Sequence, residues 1–564
     1  MERNTIFTYS FFVDPSEPNR TVIRIYGLDQ RGKTICLKIY DFTPYVYIEL
    51  PERDCAGKIL LWNTSAAQSL SDVIASELGT KKQLDSKLVF RKKLYSAQSN
   101  FRGGNSLYPF LFCKFSVKSD IYALQRRCYK SFLCPRVGRI KVKVHENLAS
   151  PVLQLCCVRN IQTAGWLDFK GKLIPAVEQE TNSYKEYTLS YRRLTANSVI
   201  NTVPSPYILS FDIEVFSSVS SRMPQANEPG DKVFQISAVF FRTTDTVSKE
   251  YLLTLGDPIQ KVVGDSVKIQ RFKSEASLIE GFSSLLRTES PNVIIGYNIL
   301  NFDIPYMIKR AKSSYCIDDF RTAGFHKTLP ANEKTIKWSS AAYKNQEFEY
   351  LNWEGRLLVD LLPIIKREYK FSSYKLSAVS EHFLNSTKDP LTPKGIFQCY
   401  RLGMKKQNNM FTPIGRRAMS IVGKYCVVDS RLPMNLFRHL KTWIGLTEMA
   451  TTCNVPIFHL VVKGQQIKVF SQIYKYCFSR NIIVETDGYV TPEGQRYAGA
   501  YVFEPTAGVY DDVVPFDFAS LYPTIIIAYN IDYSTMVKDE RINDSLCHVI
   551  EFEDHQNCEH DPKV

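Results

Sequence analysis

No C-x-x-C pair occurs in this sequence, and its 14 cysteines lie scattered along 564 residues. In a chain this long that scatter points to reduced thiols in an intracellular compartment. No run of roughly 18 apolar residues occurs either, so no membrane span is expected. The opening Met1-Glu2-Arg3-Asn4-Thr5 lacks the basic segment and long apolar core of a signal peptide. There is no internal repeat and no low-complexity tract. What is present is ordinary in one respect and skewed in another. The hydrophobic fraction, 44%, suits a globular protein, and 564 residues allow three or four domains. Lys+Arg 71 against Asp+Glu 57 gives +14. That balance favours a polyanionic partner, since basic surface gains affinity by releasing phosphate counterions.

Residues 21–26 and 34–40 alternate as a hairpin around a turn over 27–32. Basic clusters lie between residues 81 and 145: Lys81-Lys82, Arg91-Lys92-Lys93, Arg126-Arg127, and Arg139 with Lys141 and Lys143. Tyr95, Phe101, Tyr108 and Phe110 are interleaved with them. Two readings stand. One is a groove for single-stranded nucleic acid, where bases stack on rings and phosphates meet cations. The other is a mixed β domain with a solvated basic face. Val203-Pro204-Ser205-Pro206 precedes a strand over 207–216 and marks a domain boundary. From there to about residue 440 strands and helices alternate, as in an α/β domain. Residues 233–242 and 250–255 read as a hairpin. Helices are expected near 274–288, 304–312 and 374–384, and a long one over 412–440 after Thr412-Pro413, with proline in its first turn. Residues 444–480 read as a helical connector, and a strand-rich segment begins near 483.

Val513-Val514-Pro515-Phe516 then reads as a buried strand leading into Asp517-Phe518-Ala519-Ser520-Leu521-Tyr522-Pro523-Thr524. Asp517 would sit at the strand end, with a helix opening through Ile525-Ile526-Ile527-Ala528-Tyr529. A carboxylate at a strand tip can hold a divalent metal. An aromatic five residues on can wall off a sugar. The eight-residue string resembles motif A of the B-family DNA polymerases. The resemblance implies that Asp517 binds metal and that Tyr522 excludes ribonucleotides. Phe518, Ser520 and Leu521 would complete that part of the nucleotide pocket.

A second constellation lies upstream. Asp212 and Glu214, in Phe211-Asp212-Ile213-Glu214, alternate onto one face of the strand after the linker. Two adjacent acids repel, and such a pair usually needs a cation. Val293-Ile294-Ile295-Gly296 is a buried strand, and Asn298-Ile299-Leu300-Asn301-Phe302-Asp303 a polar turn with Asp303 opening a helix. Tyr425 and Asp429 are four apart in the long helix and so share a face. Taken singly, Asp303 reads equally well as a helix cap, Asp429 as a solvated helix residue and the acid pair as surface alternation. Their joint order resembles the proofreading 3′–5′ exonuclease domain of DNA polymerases, with its RNase H-like fold. By that resemblance Asp212, Glu214, Asp303 and Asp429 are ligands of two Mg²⁺ ions, and Tyr425 orients the attacking water.

Further segments resemble the delta-type branch of family B, which includes polymerases of large DNA viruses. They are Gly355-Arg356-Leu357-Leu358-Val359-Asp360 with Ser373-Tyr374-Lys375-Leu376-Ser377-Ala378-Val379, then Lys463-Gly464-Gln465-Gln466-Ile467-Lys468-Val469, and Tyr497-Ala498-Gly499-Ala500. The last resembles the hinge between exonuclease and palm, although the family often has a second glycine where Ala500 stands. The stretch from His145-Glu146-Asn147 to Trp166 is similar to the family's N-terminal region. Neither a K-x3-N-x2-Y-G helix nor a D-T-D turn is found. The 564 residues by themselves are therefore not expected to polymerise. Cys547-His548, His555, Cys558 and His560 match no standard zinc spacing, so a palm loop is expected there and no zinc.

The resemblance implies a multidomain α/β and α+β protein. A mixed β N-terminal domain (1–204) would be followed by an RNase H-like exonuclease domain (205–440), a helical connector (441–482) and the start of a polymerase palm (483–564). The implied function is DNA-directed DNA polymerase with proofreading in replication, using two Mg²⁺ in the exonuclease site and two in the completed polymerase site. Implied partners are primer-template and single-stranded DNA, deoxynucleoside triphosphates, a C-terminal polymerase half or continuation, and a sliding clamp, with no membrane. The implied location is the nucleus or a viral replication site. The alternatives are a stand-alone 3′–5′ nuclease, against which the Tyr522 gate argues, and a non-catalytic scaffold, against which the retained carboxylates argue.

Overall fold

A computed structural model describes residues 4–79, 84–94, 107–219, 221–340, 343–386, 391–485, 504–532, 535, 537 and 542–549. The chain forms two compact units. One consists of Met1–Pro44, Ser116–Lys118 and Ser150–Lys475, the other of Tyr45–Phe115, Ser119–Ala149 and Tyr476–Val564.

The first unit begins with a seven-stranded sheet that includes Asn4–Val13, Ile23–Leu28 and Thr34–Ile39. The expected hairpin is present, with Ile23 opposite Ile39. Its turn starts later than the sequence suggested, because the strand runs on through Gly27 and Leu28. Gly27 serves close approach rather than turning: a Cβ there would lie 2.4 Å from the Phe7 carbonyl oxygen. The Asp29 carboxylate makes the turn instead, accepting the N–H groups of Arg31 at 2.9 Å and Lys33 at 2.8 Å.

Beyond residue 204 the same unit builds a six-stranded sheet. Its strands are β1 (Ile208–Val215), β2 (Val233–Phe241), β3 (Lys249–Leu255), β4 (Val267–Phe272), β5 (Val293–Gly296) and β6 (Leu357–Asp360), in the spatial order β4-β3-β2-β1-β5-β6. β1, β2 and β3 are antiparallel neighbours, while β5 and β6 run parallel to β1. That is the RNase H-like arrangement expected from the motifs. β1 and β2 are buried along nearly their whole length because helices cover the sheet on both sides. The helices include α1 (Glu275–Glu289), α2 (Asp303–Ser313), α3 (Leu361–Glu368) and α4 (Pro413–His439). Ser274 opens α1 with a capping box. Thr412 caps α4 through the N–H of Gly415, with Pro413 in the first turn as predicted. Three helices follow, Thr442–Cys453, Ile457–Val462 and Gln466–Ser479, where a helical stretch is expected.

The main sheet of the second unit is built in the order β-α-β-β-α-β from Tyr45–Glu49, Thr64–Glu77, Asp85–Lys93, Tyr108–Lys114, Lys118–Arg127 and Lys143–His145, with a separate hairpin, Phe132–Cys134 and Gly138–Ile140, before the last strand. One face of its sheet packs Val46, Ile48, Leu111 and Cys113 against Leu70, Ile74, Ile121 and Leu124 of the two helices. On the other face the Tyr47 ring lies 5.1 Å from Phe112 and 6.2 Å from Phe110. Phe110 is fully buried, so it cannot offer its ring to a base, which corrects the stacking-groove reading at that residue. Lys93 is ion-paired to Glu49 at 2.7 Å and lies over the Tyr108 ring, and Arg127 pairs with Glu77. Arg139, Lys141 and Lys143 remain exposed. These side chains fit the mixed domain with a solvated basic face. Lys81, Lys82, Tyr95 and Phe101 lie outside the described residues.

The strand expected over 513–516 is not formed. Val513, Val514 and Phe516 are 70%, 68% and 94% exposed. A strand needs a hydrogen-bonded neighbour, and among the described residues none lies beside this segment. Of the strand-rich segment expected from residue 483, Ile482–Ile483 pairs with Lys92 and Lys93, and residues 486–503 lie outside the described residues.

Candidate active site

β1 supplies the first two acids. Asp212 stands opposite Ser237 and Glu214 opposite Gln235 in the antiparallel register. Paired residues project to the same side, and here that side faces α4. Ser237 Oγ donates to the Cys426 carbonyl at 2.7 Å and Gln235 Nε2 to the Met419 carbonyl at 3.0 Å. Glu214 is buried and Asp212 half-buried. Asp212, Glu214 and Cys426 each bring a ligand atom to within 4.8 Å of the others. Cys426 is not among the residues the motifs point to. The available signal is its place beside Tyr425, in the helix turn that meets the sheet.

Asp303 opens α2, with Phe302 in the cap position and no side-chain cap bond. It is only 3% exposed. The backbone N–H of Ile213, between the two acids of β1, lies near the Asp303 carboxylate and favours the charged form, while Asp429 opposes it. Tyr425 and Asp429 are both buried on α4. The sheet, α2 and α4 therefore bring Asp212, Glu214, Asp303 and Asp429 together, although Asp303 and Asp429 fall outside the tightest group of three.

Burial pushes the Asp303 carboxyl up to about 7, and the negative charges of Asp360 and Asp429 add to that. Burial also pushes the Cys426 thiol well above its ordinary value, with Glu214 and Asp212 reinforcing it. Same-sign carboxylates held this close are what a hard divalent cation relieves, and their oxygens are the donors it prefers. The residues present fit such an ion.

Asp360 stands out in the sequence only as part of a resembling segment. It ends β6, caps α3, and is fully buried. An acid after an apolar strand and before Leu361-Leu362-Pro363 is a helix-start signal that marks it.

The second group of expected residues is not assembled into a site. Asp517 is exposed and lies at no strand end. Phe518, Leu521 and Tyr522 are 75%, 43% and 69% exposed. Ser520 precedes the helix Leu521–Tyr529 in the left-handed region without a side-chain cap bond. That helix is largely apolar and has no buried residue. Cys547 and His548 are described; His555, Cys558 and His560 are not.

No helix among the described residues is long and apolar enough to cross a membrane. The model for the DNA polymerase family B exonuclease domain matches residues 142–379, which include Asp212, Glu214 and Asp303, and that for DNA polymerase family B matches 455–563. Tyr425 and Asp429 lie between the two matches. DNA polymerase 120R of Invertebrate iridescent virus 3 is 42% identical over 584 residues, covering 99% of this chain and 49% of that protein. The DNA polymerase delta catalytic subunit of Dictyostelium discoideum is 30% identical, over 92% of this chain and 46% of that protein. A solved family B DNA polymerase from the archaeon Pyrobaculum calidifontis matches with a TM-score of 0.64 at 18% identity, over 95% of this chain and 58% of that one, which speaks for the fold alone. The chain thus spans about half the length of the curated relatives it matches. Two family models in series and relatives aligned along nearly all of its length lead to one conclusion: the chain belongs to family B of the DNA polymerases.

Proposed function

We propose that this chain carries the 3′–5′ proofreading exonuclease and the first conserved palm segment of a DNA-directed DNA polymerase acting in replication. The observation that carries the proposal is the convergence on β1. Asp212 and Glu214 lie within reach of one cation, and the buried Asp303 carboxylate lies near the backbone of the residue between them. Asp212, Glu214, Asp303 and Asp429 would hold two Mg²⁺ ions. Such ions polarise a scissile phosphodiester and lower the pKa of a bound water. Tyr425 would orient the attacking water from α4. Asp517 and Tyr522 would serve metal binding and sugar discrimination once the rest of the palm covers the exposed Leu521–Tyr529 helix.

The proposed substrates are single-stranded 3′ ends, primer-template DNA and deoxynucleoside triphosphates. The proposed domain limits are 1–204, 205–440, 441–482 and 483–564, and the partners a C-terminal polymerase portion and a sliding clamp. The iridovirus and delta-type relatives support action at a viral replication site or in a nucleus. The test is digestion of 3′-labelled single-stranded DNA with Mg²⁺. Mononucleotide release is expected, and Asp212→Ala with Glu214→Ala should abolish it. Undiminished digestion by the purified double variant would sink the assignment.

A further inference from the structure

We propose that Asp360 is a positioning residue for the acid site, its carboxylate fixing the turn that delivers Asp303. The inference rests on the exonuclease reading above. Asp360 Oδ1 accepts the N–H of Asn298 at 2.7 Å and that of Leu362 at 3.0 Å, and Oδ2 accepts the N–H of Leu300 at 3.0 Å. One fully buried carboxylate therefore holds three backbone donors from two separate segments.

Asn298 has φ 70°, in the left-handed region that asparagine enters more readily than other residues with side chains and β-branched residues hardly at all. The Asn298 carbonyl in turn accepts the N–H groups of Asn301 at 3.2 Å and Phe302 at 3.0 Å, and the next residue is Asp303. A continuous path of short bonds thus runs from Asp360 through Asn298 and Phe302 to the start of α2. The contact between Asp303 and the Ile213 N–H depends on where α2 starts. Three converging donors need a group that only accepts. An asparagine at 360 would turn its own N–H₂ toward at least one of them. Groups that fix the position of a metal ligand set how tightly the ion is held, and Asp360 would do so through this turn.

The test compares wild type, Asp360→Asn and the Asp212→Ala/Glu214→Ala double variant. It measures Mn²⁺ binding by electron paramagnetic resonance, the Mg²⁺ dependence of digestion, and amide hydrogen exchange at Asn298 and Leu300. Asp360→Asn should bind Mn²⁺ about tenfold more weakly, and need about tenfold more Mg²⁺ for half-maximal digestion. Saturating Mg²⁺ should restore most of its rate, and both amides should exchange faster while thermal unfolding stays cooperative. A folded Asp360→Asn protein with wild-type Mn²⁺ affinity and wild-type amide protection overturns the inference and leaves the exonuclease reading intact. Wild type binding no more Mn²⁺ than the double variant overturns the exonuclease reading and this inference with it. Should Asp360→Asn not fold, Asn298→Val, which disfavours φ 70°, is compared with Asn298→Gly, which permits it. Weaker Mn²⁺ binding by Asn298→Val alone supports the proposal, and equal binding by the two overturns it.

Discussion

Ser237 Oγ donates to the Cys426 carbonyl oxygen at 2.7 Å, so the strand beside the acid pair grips the long helix one residue past Tyr425. Ser210 Oγ does the same at Ser430 O, at 2.7 Å, and Gln235 Nε2 at Met419 O, at 3.0 Å. Three polar side chains from two buried strands thus hold α4 by its backbone and set its register on the sheet. Register decides where Tyr425 and Asp429 stand relative to Asp212 and Glu214. Ser237→Ala should cost about 1 kcal/mol of stability and slow digestion several-fold. Thermal unfolding and single-turnover digestion check this. A lowered melting temperature with an unchanged rate would show that register does not hang on this bond.

Gly423→Ala tests the same helix by crowding it. A Cβ at Gly423 would lie 2.5 Å from Leu252 Cδ2, and Leu252 is fully buried on β3. Overpacking of this kind costs about 1–3 kcal/mol. The helix should ride away from the sheet, so digestion should fall by more than Ser237→Ala lowers it. Melting temperature and rate, measured together, decide the outcome.

Glu354 should make stability depend on pH near neutrality. Its carboxylate accepts the Tyr26 hydroxyl at 2.6 Å and lies 3.4 Å from Arg24, with Asp14 and Glu186 also acting on it. Burial is the largest influence and pushes it up to about 7 from 4.5, against the pull of Arg24 and Tyr26. Between those values the folded state binds the proton and the unfolded state does not, so stability falls as pH rises. The contribution is fully present below the unfolded value and lost above the folded one. Glu354→Gln should flatten this decline and raise stability at pH 8 by up to about 3 kcal/mol. Arg24 keeps Asp14 at 2.6 Å and Glu180 at 2.7 Å in the variant. Denaturant titrations at pH 5, 6.5 and 8 give the answer.

The exposed Arg139, Lys141 and Lys143 should contribute to DNA affinity through phosphates. Changing all three to Glu should weaken binding at low salt, and should lower the slope of log affinity against log salt by about one per lost phosphate contact. Phe110→Ala should act otherwise. It should cost about 3–5 kcal/mol of stability through a core cavity, with no change in the salt slope. Filter-binding isotherms at several salt concentrations separate the two effects.

Local chemistry is legible in the sequence alone. Alternation places Asp212 and Glu214 on one face, Thr412-Pro413 announces the start of α4, and spacing by four puts Tyr425 with Asp429. Each is a short-range property, set by backbone period or by the first turn of a helix. Tertiary structure decides what only distant segments can settle. Phe110 has the sequence surroundings of a stacking ring, yet the sheet buries it, and residues 513–516 have the composition of a strand although nothing described pairs with them. Cys426 stands beside the acids because α4 crosses β1, and Asp360 holds Asn298 across 62 residues of chain. Apolar runs and charges in a sequence say what a segment can bury or pair. Which partner arrives depends on the packing of the whole chain, where burial and hydrogen bonding between remote residues are decided together.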